Sequence, residues 1–105
     1  LRSRGLGDVY KRQLYIFSSV ANETGITKDQ ILSKIKTEEV VDARHMVVKL
    51  LSEIGLYPSS IARIFNVTPR CISYILSAFD DRINTNRMMK FAYKRIEENI
   101  TKSGE

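Results

Sequence analysis

A chain of 105 residues with one cysteine and one histidine cannot build an internal disulfide or a zinc cluster of its own, and a reducing, cytoplasmic setting is expected. Its 43% hydrophobic and 28% charged residues fit a single ordinary domain, and no apolar run reaches the ~18 residues that read as a membrane span. The formal net charge of +5 points toward an anionic partner, provided the charge belongs to the domain itself.

Much of it sits at the start. Ser3 to Gln13, SRGLGDVYKRQ, resembles the translation of a transposase sequencing adapter, so residues 1–13 are set apart as non-native and the natural chain is expected to extend upstream of Leu14. Without Arg2, Arg4, Lys11, Arg12 and Asp8, the 17 basic and 12 acidic residues become 13 and 11, and +5 becomes +2. The alternative is a genuine basic arm that grips phosphates.

The domain is expected over residues 14–100. Leu14, Phe17, Val20 and Ala21 recur at helical spacing up to Gly25, a C-cap residue. Thr27 and Gln30 form a capping-box pattern, opening a short helix to about Ile35 that buries Ile31, Leu32 and Ile35. Thr37 as N-cap and Glu38 and Glu39 in a first turn begin a longer helix through Val40, Ala43, Val47, Leu50, Leu51 and Ile54 to Gly55. Val41, Met46 and Val48 widen its apolar surface, which predicts a central scaffold helix.

Residues 58–79, PSSIARIFNVTPRCISYILSAF, read as a helix, a tight turn and a second helix. Ile61, Ala62 and Phe65 share one face, Asn66 suits a left-handed stop, and Val67 is expected to plug the turn. Thr68 is an N-cap and Pro69 takes the first helical position, where its missing N–H costs nothing. Ile72, Ile75, Leu76 and Phe79 then form a buried stripe, which leaves Thr68, Pro69, Arg70, Ser73, Tyr74 and Ser77 facing outward. This is the pattern of a helix-turn-helix whose second helix enters a DNA major groove with its N-terminal side chains at base edges. Two core helices joined by an ordinary corner would give a similar stripe.

Residues 80–86 are polar and read as a turn. A last helix from about Asn86 to Ile100 has Met88, Phe91 and Ala92 on one side and Met89, Tyr93, Ile96 and Ile100 on another, before a tail at 101–105. No strand pattern, repeat or low-complexity segment interrupts the chain, so the fold class is all-α, a small helical bundle.

From about Tyr15 the order of elements and several motifs resemble the C-terminal DNA-binding domain of the DnaA family of bacterial chromosomal replication initiators, a Trp-repressor-like helix-turn-helix fold. The carrying residues are Gly25-Ile26-Thr27 with Asp29, Ile31, Leu32, Ser33 and Lys34, then Val40 to Met46, and Ile61-Ala62 to Phe65, which span most of residues 20–79. The family's signature is a Gly-Gly turn followed by Arg-Asp-His-Thr-Thr-Val. Here the turn is Asn66-Val67, Thr68 stands at the Asp, Pro69 at the base-reading His, and Arg70 and Cys71 at the two Thr residues. The family's basic loop retains Lys34 and Lys36, and Arg44 matches the Arg of its central-helix motif, for which the resemblance implies a phosphate contact. No Gly-rich phosphate loop occurs, so the family's ATPase has no counterpart in these residues.

The expected function is double-stranded DNA binding in replication initiation or transcription control. Base contacts are assigned to Thr68, Pro69, Arg70, Ser73, Tyr74 and Ser77, and phosphate contacts to Lys34, Lys36, Arg44, Ser59, Ser60 and Arg63. Arg70 could fork onto a guanine. Tyr74 could meet a sugar or thymine methyl, or cap the core edge; Ser59 and Ser60 could hold a phosphate or simply cap their helix. The rival expectation is a protein-interaction or dimerisation module working through the last helix. His45 and Cys71 have no metal-ligating company, and the side chains of Asp80-Asp81 and Glu97-Glu98 diverge on a helix or cap a turn. Hence no enzyme activity, metal, cofactor, small-molecule substrate or membrane is expected.

Overall fold

The computed structural model describes residues 2–103, with side chains from residue 10 to residue 100. Six helices occur among the described residues and no strand: α1 (Arg2–Thr24), α2 (Lys28–Leu32), α3 (Glu38–Glu53), α4 (Pro58–Phe65), α5 (Pro69–Thr85) and α6 (Arg87–Ser103). The expected all-α bundle is what the chain forms. None of these helices is long and apolar enough to cross a membrane.

Helix α3 is the scaffold. Val40, Ala43, Met46, Val47, Val48, Leu50 and Leu51 are all buried along it, more than one stripe can hold, because α1, α2, α4 and α5 all contact it. Helix α6 closes the bundle against α1 and α5. On α5 and α6, Phe79 and Tyr93 meet edge to face at 5.0 Å between ring centres. Burial and a 2.6 Å hydrogen bond from Tyr93 Oη to Glu53 Oε1 both push the phenol's pKa upward. Between α1 and α6, Tyr15 Oη donates to the Asn99 carbonyl at 3.3 Å and Arg95 pairs with Glu23 at 3.3 Å.

Several boundaries differ from the sequence reading. Helix α1 starts at Arg2 instead of Leu14, since no proline or cap between them stops it, and its buried residues include Ile16 while Leu14 is exposed. Helix α2 ends at Leu32, and Ile35 is exposed instead of buried. Residues 80–85, expected as a turn, continue α5. Ile83 follows Phe79 by one turn and packs on the core, and Arg82 pairs with Asp42 on α3 at 2.8 Å.

Only Asn86 separates α5 from α6. It caps the new helix by accepting from Met89 N at 3.1 Å, and its side-chain amide donates to Asp42 Oδ2 at 3.0 Å. Helix α6 runs past Ile100 to Ser103, so the expected tail begins inside it, while residues 104–105 lie outside the described ones.

Candidate nucleic-acid interface

The α4 to α5 turn is built from its backbone. Asn66 adopts the left-handed conformation at φ 56°, Val67 N–H reaches the Ala62 carbonyl at 3.0 Å, and Asn66 N–H reaches Arg63 at 3.3 Å. Carbonyls of the last turn of α4 are satisfied this way. Val67 therefore closes the turn through its amide, and its side chain, expected as a plug, is exposed.

Helix α5 starts as its sequence predicts. Thr68 Oγ1 accepts from Cys71 N at 3.2 Å, Pro69 occupies the first helical position, and Ile72, Ile75 and Phe79 are buried. Burial of that stripe fixes the rotation of the helix. Thr68, Pro69, Arg70, Ser73, Tyr74 and Ser77 all emerge exposed, so the six candidate base-contacting residues form one solvent face. Tyr74 is 70% exposed, which removes the alternative of capping the core edge. Ser77 donates its hydroxyl to the Tyr74 carbonyl at 3.0 Å and keeps its lone pairs as acceptors.

Ser59, Ser60 and Arg63 are exposed on neighbouring α4. Ser60 N–H already donates to the Tyr57 carbonyl at 2.9 Å, which leaves the Ser59 amide and the two hydroxyls as the available donors of that turn. Tyr57, 76% exposed at the same helix start, belongs to this face and was not singled out from sequence. Its signal is an aromatic residue beside a proline at a helix entry.

Arg44 behaves differently from the other phosphate candidates. Its Nε donates to the Ile31 carbonyl at 2.9 Å, and one terminal nitrogen donates to Ser33 at 2.7 Å and Ile35 at 3.0 Å. These bonds gather three carbonyls from the end of α2 and the segment after it, which is why α2 stops at Leu32. Burial lowers the guanidinium's pKa, and neighbouring Cys71 on the first turn of α5 opposes that shift. Arg44 thus holds the segment carrying exposed Lys34 and Lys36, close to the start of α5.

Charge sorts along the chain. Neither residues 30–37 nor residues 54–79 contain a carboxylate side chain, and together they carry Lys34, Lys36, Arg63 and Arg70, all exposed. These two segments present cations, hydroxyls and two exposed tyrosine rings with no carboxylate side chain among them. No metal-binding group of three or more ligand residues occurs among the described residues. The chain matches no known protein-family model and no curated protein.

Proposed function

We propose that this chain binds double-stranded DNA through α4, its turn and the N-terminal half of α5, as the resemblance to the DnaA C-terminal domain implies, in replication initiation or transcription control. The observation that carries this reading is the combination of five exposed polar, cationic or aromatic residues, Thr68, Arg70, Ser73, Tyr74 and Ser77, at the start of α5 with flanking segments free of carboxylates. Arg70, Ser73 and Tyr74 would meet base edges, while Lys34, Lys36, Ser59, Ser60 and Arg63 would hold phosphates on either side. Arg44 is assigned a positioning role, because its donors are engaged by the three carbonyls that fix the Lys34 to Lys36 segment.

The test is fluorescence anisotropy of the full chain on a mixed-sequence duplex and on a DnaA-box duplex across a salt series. The three phosphate-neutralising cations, Lys34, Lys36 and Arg63, give a log–log slope of about −3. Arg70→Ala is expected to lose about 1–3 kcal/mol on the preferred duplex and relax sequence preference. Arg44→Ala is expected to weaken all duplexes together, with faster amide exchange over residues 33–36. Absence of binding at low salt would refute the reading.

The exposure of Met88 and Phe91 on α6 favours a second activity, contact with protein.

A further inference from the structure

Met88 and Phe91 project from α6 with 83% and 67% of their surface exposed. Beside them lies a hollow of about 720 Å³ between α6, the start of α3 and the end of α1. Met88 and Phe91 form part of its wall, Ile26, Met46, Met89 and Ala92 supply the rest of its apolar lining, and Glu23, Glu38, Glu39 and Asp42 supply carboxylates. Two of these are engaged, Asp42 by Arg82 and Asn86, and Glu23 by Arg95. Glu38 and Glu39 are exposed and make no ion pair among the described residues. Arg87, Lys90 and Lys94, one and two helical turns apart, are exposed on α6 around Phe91.

We propose that two copies of this chain pair through this face, each placing Phe91 and Met88 in the other's hollow. One surface carries both a projecting apolar pair and a hollow able to receive such a pair, and it carries both signs of charge around them. A two-fold axis satisfies all of these together, because residue i of one copy then meets residue j of the other and the reverse. Arg87 and Lys90 of each copy reach Glu38 and Glu39 of the second. A foreign partner that matched only the hollow and its carboxylates would leave Lys90 and Lys94 without counter-charges. An aromatic anchor buried at the centre with charges at the rim is also the usual anatomy of a stable interface. The far end of α5 lies about 25 Å away along its 17 residues, so pairing leaves the proposed DNA face open on both copies.

Sedimentation equilibrium of the full chain over rising concentration tests the proposal, with circular dichroism of every variant as the fold control. The wild-type mass is expected to rise from that of one chain toward two. Phe91→Asp, and separately Met88→Asp, are expected to weaken pairing at least about tenfold with unchanged helicity, since both side chains are exposed in one copy. Glu38→Lys with Glu39→Lys is expected to weaken it too. Adding Arg87→Glu and Lys90→Glu to that chain is expected to restore it. A wild-type chain that stays single up to about 1 mM overturns the proposal. So does a chain whose pairing survives Phe91→Asp, or one in which the charge exchange restores nothing.

Discussion

Around the first turns of α5 the exposed side chains are Arg70, Ser73 and Tyr74, and the first carboxylate along that helix is Asp80. Where the same helix ends and α6 begins, the exposed side chains include Met88 and Phe91, and Glu38 and Glu39 stand beside them. One end offers hydrogen bonds and uncompensated positive charge, which suits a polyanion; the other offers apolar area with both signs of charge, which suits a folded surface. The apolar stripe of α5 is continuous between them. A single helix therefore presents two chemistries because its length, and not its buried face, decides what surrounds each end.

If one strut supports both surfaces, the largest effect should come from its middle. Phe79 is 2% exposed, packed on Tyr93 and beneath the Lys49 ammonium, so Phe79→Ala is expected to cost about 3–5 kcal/mol in urea unfolding and to impair DNA binding and pairing together. Loss of only one property would show that the two ends are held independently. Asn66→Val should separate them. A β-branched residue at φ 56° is expected to cost about 1–2 kcal/mol and disturb the DNA face, with pairing retained, whereas Asn66→Gly should be close to neutral in stability.

A remaining effect concerns acid. His45 on α3 is half-buried with its Nδ1 buried and unpartnered; burial first, then Arg82, lowers its pKa from 6.5 to about 4, against the opposing pull of Asp42. The unfolded chain therefore binds a proton that the folded chain does not across that interval. Stability is complete above pH 6.5 and falls as pH drops through about 4. Urea midpoints measured across this window should slope less in His45→Leu than in the wild type.

Local signals were legible and distant ones were not. Thr27 with Gln30, Thr68 with Pro69, and Asn66 each act within four residues, and each does in the structure what its sequence predicts. The continuation of α5 depends on Arg82 finding Asp42 forty residues earlier, which no window over residues 80–86 contains. Likewise, Ile35 has the spacing to continue α2, but Arg44 gathers the carbonyls that end it. On α6 two apolar sides were visible; only packing against α1 and α5 decides that Met89, Tyr93 and Ile96 are buried and Phe91 is left out. The candidate DNA face was readable because burial of the α5 stripe fixes its opposite side, whereas the role of Arg44 required three backbone positions in space.

The seam between α1 and α6 also sets a timetable. Tyr15 and Asn99 are 84 residues apart, and translation at roughly 5–20 residues per second inserts about 4–17 s between them. During that interval the nascent α1 has emerged without the helix that completes its cover. A ribosome stalled before α6 would hold out an unfinished apolar surface, the kind of client that chaperones bind, and release of the last helix is the event that withdraws it.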